Sequence, residues 1–296
     1  MRGAKILVTG PTGQVALPIT KALAADNEVW GAARFRDAAS REALEKAGVH
    51  CVALDLLSGD LSALPTDFDY VLNLAVVRSG RWTKDLAGNG EAAGLLMAHC
   101  KTAKAFLHCS SAAVYAGGAE ANTEDAALGD NHRHLFPTYS IAKIATEVVV
   151  RTMARHLGLP SVIARLSVPY GDNGGWPAYH LEAIRAGEAI PVIPGGRELS
   201  LFNPIHEDDI IATIPKLLEV AAVPATTVNW GGSQTVGLHE WCEYMGELVD
   251  LPVRFAETDD FTILGTRLDV THMHELIGET TVDWRDGIRR LVNARS

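Results

Sequence analysis

The chain has 296 residues, 47% of them apolar and 21% charged, with a formal net charge of −10 at pH 7. That length accommodates one large α/β domain, or a nucleotide domain with a smaller lobe built on it. The acidic balance, unopposed by any basic run, excludes an electrostatic footprint for nucleic acid or an anionic membrane, and no stretch approaches the roughly 20 apolar residues of a membrane helix.

In chain order, Lys5–Thr9 (KILVT) reads as a short strand of β-formers, followed by a glycine-rich turn and a helical pattern over 15–25. Glu28–Ala33 reads as a second strand, 41–47 as a helix and His50–Ala53 as a third strand. A fourth, buried strand is expected over 70–75, a helix over 89–101 and a fifth strand over 105–109. A helix over 138–157, closed by Gly158 and Pro160, leads into a sixth strand, Ser161–Leu166. Strands alternating with helices of this length predict a mainly parallel, doubly wound α/β sheet with right-handed crossovers and helices on both faces. From about Tyr170 the rhythm breaks, with Gly171, Gly174, Gly175, Pro177, Pro191, Pro194, Gly195 and Gly196 crowding one stretch.

Gly10-Pro11-Thr12-Gly13-Gln14-Val15-Ala16 stands between the first strand and the first helix. The first glycine suits a tight turn, the second lets a pyrophosphate approach the backbone, and the small third residue lets helix pack on strand. The helix N-terminus then offers N–H groups and partial positive charge to phosphates. We therefore expect a dinucleotide-binding domain over 1–169, to which part of the C-terminal half returns, and a smaller lobe for substrate over 170–296. The second strand ends in Ala33-Arg34-Phe35-Arg36, where an acidic residue would mark NAD. Two arginines and no carboxylate favour a 2′-phosphate, so NADP is preferred over NAD, with solvated surface charge as the alternative reading of Arg34 and Arg36. Asp55, with Leu56 beside it, is placed to accept from the adenine amino group or to cap a helix.

Tyr139-Ser140-Ile141-Ala142-Lys143 puts a phenol and an ammonium on one helix face. A fixed cation stabilises the phenolate and makes Tyr139 usable as a proton donor and acceptor near neutral pH. Alone, this spacing is common on helix surfaces. Behind a glycine motif and a run of β/α units it points to catalysis. Ser110 and Ser111 follow the fifth strand at the carboxyl edge where such sheets bind ligands, and the alternative for both is to cap a turn.

With these residues in place, the sequence resembles the extended short-chain dehydrogenase/reductase family, of the NAD-dependent epimerase/dehydratase type, over nearly its whole length. The resemblance rests on Gly10 to Ala16 with Thr9 before it, Asn73-Leu74-Ala75, Ser110-Ser111 through Val114-Tyr115, Tyr139 to Lys143, and Arg165 through Tyr170-Gly171 with Pro204-Ile205-His206-Glu207-Asp208-Asp209-Ile210. It implies a Rossmann-type sheet and a Ser111, Tyr139, Lys143 catalytic group. It also implies cofactor contacts from Thr12, Gln14, Val15, Leu74, Ala75, Asn89 and Leu166, a nicotinamide-ribose contact from Lys143, and Asp208 and Asp209 as structural braces. Ala113, Val168, Trp176 and Arg197 join Ser111 as candidate substrate contacts, although Trp176 is of a type more often found in a core. Two copies pairing through the 89–101 helix and the helix of Tyr139 are expected on the same resemblance.

Departures from the family pattern guide the choice of reaction. Ala112 and Ala113 stand where dehydratases carry an acidic pair, so dehydration is set low. Leu201, Phe202 and Val168 stand where nucleotide-sugar epimerases offer an Arg and an Asn. An apolar or uncharged substrate, and carbonyl/alcohol oxidoreduction, are favoured, with a nucleotide-sugar epimerase as the alternative and a dinucleotide sensor behind it. A metal hydrolase built on His132, His134, His272 and His274 is set aside, because the two pairs lie far apart and specify no open zinc site, so no metal is expected. Cys51, Cys100, Cys109 and Cys242 read as reduced and structural, and the opening Met1-Arg2-Gly3-Ala4-Lys5 as no signal peptide, which places the protein in the cytoplasm.

Overall fold

The structure, a computed structural model, describes residues 1–259 and 263–296. The chain divides into two compact units. The first takes Met1–Ser110, Ile141–Ala164 and Thr213–Val228, and the second takes Ser111–Ser140, Arg165–Ala212 and Asn229–Ser296.

A seven-stranded sheet organises the first unit. Strands β1 (Lys5–Thr9), β2 (Glu28–Ala33), β3 (His50–Ala53), β4 (Tyr70–Asn73) and β5 (Ala105–Ser111) stand in the spatial order β5, β4, β1, β2, β3, every neighbouring pair parallel. Ser161–Leu166 and then Thr226–Trp230 continue the sheet beyond β5. The expected doubly wound parallel architecture is therefore borne out. Ile6, Leu7 and Val8 are fully buried, because a central parallel strand is covered on both faces. On one face Leu7, Val71 and Phe106 pack against Leu96, Met97 and Val150 of the helices.

Most helices follow their sequence signals. Helix α1 (Ala16–Ala24) buries Ala16, Ile19, Thr20 and Leu23 at helical spacing. Helix α2 (Ala38–Lys46) begins earlier than expected, because Asp37 caps it by accepting from the N–H groups of Ala39 and Ser40 at 3.3 and 2.9 Å. The fourth strand is shorter than expected. Leu74 and Ala75 leave the ladder and donate their N–H groups to Thr9 Oγ1, each at 3.1 Å.

The helix expected over 89–101 departs most. A short α3 (Trp82–Leu86) runs into a π-helical turn, Ala87–Glu91, before α4 (Ala92–His99). The cause is the Asn89 side chain, whose Nδ2 donates to the Asp85 carbonyl at 2.6 Å and to the Val77 carbonyl at 2.8 Å. A side chain inserted into the backbone ladder widens the turn. Helix α5 (Tyr139–Leu157) ends at Gly158, whose φ of +64° is the usual device for stopping a helix.

The second unit is assembled from short pieces, as its glycine and proline content demands. Pro169–Gly171 lies between Ile205–His206 and Gly174–Gly175, and Ile190–Val192 pairs with Phe255–Glu257. Its core joins α6 (Trp176–Ala186), α8 (Leu238–Val249, after α7 at Glu207–Glu219) and the last helix, Trp284–Ala294, through Leu181, Trp241, Met245, Ile288 and Leu291.

Candidate functional site

A cavity of about 360 Å³ opens in the first unit at the carboxyl ends of β1, β2 and β4. Nine of the expected cofactor residues line it: Gly10, Thr12, Gly13, Arg34, Arg36, Asp55, Leu56, Leu74 and Ala75. The glycines are required by geometry. Gly10 sits at φ +66°, and a Cβ there would stand 2.9 Å from Ala75 Cα. Gly13 donates to the Gly10 carbonyl at 2.9 Å, and Leu17 to the Gly13 carbonyl at 2.9 Å, so the turn passes directly into α1. A dinucleotide fits this set: a glycine turn that leads directly into a helix N-terminus, with Arg34 and Arg36 among the lining residues.

Thr9 is the organising residue that sequence reasoning missed. Its hydroxyl donates to Asn73 Oδ1 at 2.9 Å and accepts from Leu74 and Ala75, which holds one cavity wall at the height of Gly10. Asn73 Nδ2 lies 3.2 Å from His108 Nδ1, which carries the link on to β5. Thr9 precedes the glycine turn and Asn73 ends β4; the signal was their side-by-side position on adjacent parallel strands. Ala33, Phe35, Asp37, Leu54, Val76 and Val77 also line the cavity and carried no separate signal.

Other expected cofactor residues lie elsewhere. Asn89 stands behind the cavity, where Oδ1 accepts from Val77 N–H at 3.0 Å and fixes that wall from outside. Val15 occupies the position before α1 without capping it by a side chain, and Leu166 ends its strand 7% exposed in the second unit. Neither they nor Gln14 line the cavity. Asp55 serves as a cap, accepting from Leu57 N–H at 3.1 Å, and is also one of the residues that line the cavity.

Helix α5 carries Tyr139 as its first residue and Lys143 one turn later. Lys143 is 4% exposed and donates from Nζ to the Cys109 carbonyl at 2.7 Å. One turn further, Glu147 accepts from Ser110 Oγ at 2.6 Å, so α5 is latched to β5 at two successive levels. This contact gives Ser110 a structural duty. Burial pushes the Cys109 thiol up, against the pull of the Lys143 ammonium, and burial together with that ammonium holds His108 well below its ordinary value. Cys109 is thus no thiolate, and His108 is neutral.

In the second unit, Ser111 accepts from Ala113 N–H at 3.2 Å and starts a single 3₁₀ turn, Ala112–Val114, which buries Ala113. Tyr139 donates its N–H to the Phe136 carbonyl at 2.9 Å, and its ring lies 6.1 Å from those of Phe136 and His132. Among the candidate substrate residues, Trp176 packs its ring against Phe202, His180 and Trp241 at 5.1–5.7 Å. Arg197 is held by Glu243 through both guanidinium nitrogens, one of them at 2.9 Å. Val168 has φ +32°, costly for a β-branched residue. Asp208 pairs with Arg290 at 2.7 Å, and Asp209 accepts from Thr281 and Val282, so both brace the second unit's own chain end.

Among the described residues, no group of three or more His, Cys, Asp or Glu side chains is placed to hold a metal ion, and no helix is long and apolar enough to cross a membrane. The chain resembles several solved structures over almost its full length. A UDP-glucuronic acid 4-epimerase from Bacillus cereus, solved with UDP-glucuronic acid and NAD, superposes with a TM-score of 0.83 at 21% identity, covering 98% of each chain. A UDP-N-acetylglucosamine 4-epimerase from Methanobrevibacter ruminantium gives 0.84 at 21% identity, covering 100% of this chain and 99% of that one. In sequence, the chain is 24% identical over 213 residues to a trifunctional UDP-glucose 4,6-dehydratase, 3,5-epimerase and reductase of Arabidopsis thaliana, and the match spans 67% of this chain but 31% of that longer protein. The model of one family, the NAD dependent epimerase/dehydratase family, matches residues 6–231. With that match running from β1 through Thr226–Trp230, the chain belongs to the NAD dependent epimerase/dehydratase family.

Proposed function

We propose that the protein is an NAD(P)-dependent oxidoreductase that interconverts a carbonyl and an alcohol on a small molecule. The observation that carries this reading is the pinned ammonium of Lys143, held on the Cys109 carbonyl one helical turn from Tyr139. When bound, the dinucleotide supplies the hydride acceptor or donor. Gly10, Thr12 and Gly13 receive its pyrophosphate, and Arg34 and Arg36 pair with the 2′-phosphate of NADP, the preferred cofactor, with NAD as the alternative. Ser111 and Tyr139 hold the substrate oxygen by hydrogen bonds. Tyr139 gives its phenolic proton as that oxygen gains charge, and Lys143 stabilises the phenolate left behind. Cytoplasmic placement and pairing of two copies through α4 and α5 belong to the same proposal.

A nucleotide-sugar epimerase is the second reading, favoured by the names of the relatives. Against it stand Phe202, which is 2% exposed and packed in an aromatic cluster, and Arg197, already engaged by Glu243. Neither offers a guanidinium to a diphosphate. The test begins with the purified protein. Mass and absorbance of any retained dinucleotide are compared with steady-state turnover of added NADPH and NADH. Exchange of added NADPH supports the reductase, whereas a tightly retained NAD with no net turnover replaces it by the epimerase. Tyr139→Phe keeps the ring and removes the proton, so turnover should fall by at least about a hundredfold with dinucleotide binding retained.

A further inference from the structure

Beyond β4 the wall of the nucleotide cavity is a loop, and its backbone is held by side chains rather than by a sheet ladder. Leu74 and Ala75 donate to Thr9 Oγ1, and Val77 engages the Asn89 side chain through both its N–H and its carbonyl. The next grip comes from Asp85, a fully buried carboxylate on α3. Its Oδ1 accepts from Ser79 N–H at 2.9 Å and from Ser79 Oγ at 2.6 Å, and its Oδ2 accepts from Ser79 N–H and Gly80 N–H, each at 3.0 Å. Gly80 turns the chain at φ +73°, and Ser79 Oγ accepts in turn from Arg81 N–H at 3.3 Å as α3 begins. Gly88 completes the seat, because a Cβ there would stand 2.5 Å from Val77 Cγ2. Asp85, the fourth residue of α3, thus reaches back past the start of its own helix to fix the loop with charge-assisted hydrogen bonds.

We propose that Asp85 is a positioning residue for the dinucleotide, holding Val76 and Val77 in their binding arrangement before the ligand enters. The inference rests on the dinucleotide reading of this cavity. Val76 and Val77 both line it, and Val76, between the Thr9 and Asn89 contacts, is 45% exposed. An apolar side chain kept open at a cavity wall is surface for a ligand to cover. A loop without strand pairing has to be ordered when a ligand binds, unless the free protein orders it first, and ordering on binding weakens affinity. Asp85 supplies that order in advance. Its effect is confined to one side of the cavity. Strand β1 stands between β4 and β2, so Val76 and Val77 on the one hand and Arg34 and Arg36 on the other extend from strands on opposite sides of the glycine turn. Loss of Asp85 therefore weakens the hold on the part of the dinucleotide that reaches the β4 side and spares the adenosine half at Arg34 and Arg36.

The experiment compares a whole dinucleotide with its adenosine half. Fluorescence titration gives the Kd of NADPH, and calorimetry that of adenosine 2′,5′-bisphosphate, for the wild type, Asp85→Asn and Ser110→Ala, with NADH and AMP as a second pair. In Asp85→Asn an amide NH2 faces the N–H of Ser79 or Gly80 donor to donor, so NADPH should bind about tenfold more weakly while the bisphosphate binds as it does to the wild type. The Ser79 and Gly80 amides should lose hydrogen-exchange protection in the same variant. Ser110→Ala, which removes a buried hydrogen bond elsewhere in the first unit, should bind both ligands as the wild type does. Unchanged NADPH affinity in Asp85→Asn, equal weakening of NADPH and bisphosphate, or a matching loss of NADPH in Ser110→Ala would each overturn the proposal and leave the dinucleotide reading in place. A wild type that binds neither NADPH nor NADH would overturn both. Should Asp85→Asn fail to fold, Ser79→Ala, which removes one donor to the carboxylate, takes its place, with several-fold weakening of NADPH expected and unchanged binding fatal.

Discussion

Neighbouring serines at the end of β5 have separate duties. Ser110 is 2% exposed and donates to Glu147 Oε1 at 2.6 Å, so its removal strips a donor from a buried carboxylate. Ser111 is half-buried and caps a single turn. Ser110→Ala should therefore lower stability by about 1–3 kcal/mol in urea titration and leave the turnover number of the folded enzyme near wild type. Ser111→Ala should do the reverse, costing under about 1 kcal/mol and lowering turnover. Gly10→Ala is the harshest single change at the nucleotide cavity. It combines a φ of +66° with a Cβ 2.9 Å from Ala75 Cα, so it should cost at least about 1–2 kcal/mol and abolish dinucleotide binding measured by fluorescence titration.

Helix ends show what a sequence declares and what it hides. Helix α8 stops at Asp250, exposed and left-handed at φ 53°, with a negative charge placed at the negative end of the helix. Asp250→Gly should raise stability by about 1 kcal/mol, seen as a melting temperature higher by about 2–4 °C. The strands β1, β2 and β3 were legible to the residue, because each is a short run of mostly apolar residues bounded by turn or helix signals. The start of α2 was not, since Asp37 became a cap only once its side chain was seen to turn back on Ala39 and Ser40. The π-helical turn at Ala87–Glu91 had no local signature at all. It arises from Asn89 reaching across to Val77, a contact twelve residues away in sequence. The glycine turn of the nucleotide cavity was readable because glycine placement is itself backbone information. Thr9 was not readable as its organiser, because its partner Asn73 is brought alongside by the sheet.

At the scale of the whole molecule the same division holds: the first unit follows a repeating β/α rhythm that periodicity can read, whereas the second joins distant short pieces whose packing partners no local pattern names. Ser111–Ser140 is one such piece, contiguous in sequence with β5 and α5 yet packed with 165–212 and 229–296. Packing of this kind buries histidines in neutral form, and that has a consequence for acid stability. Burial lowers His180 to about 4, where its Nδ1 accepts from the Trp241 indole at 3.0 Å, and lowers His132 to about 4 as well. Burial and the Lys143 ammonium also depress His108, in the first unit. For each, the folded value lies below the unfolded one, so between about pH 6.5 and 4 the unfolded chain binds the extra proton and stability falls as pH falls. Carboxylates held low by a partner, such as Asp208 beside Arg290, begin to lose their contribution only as the pH falls into the ordinary carboxylate range, and Glu207, raised by burial, acts in the opposite sense. The histidine window is thus the upper one. Each buried imidazole contributes up to about 1.4 kcal/mol per pH unit inside it. Urea titrations between pH 7 and 4.5 should show stability declining steeply well above the carboxylate range. His180→Gln, which keeps an acceptor for Trp241 and cannot be protonated, should flatten that decline by about 1 kcal/mol per pH unit. A slope identical to wild type would mean that His180 takes up its proton within the fold.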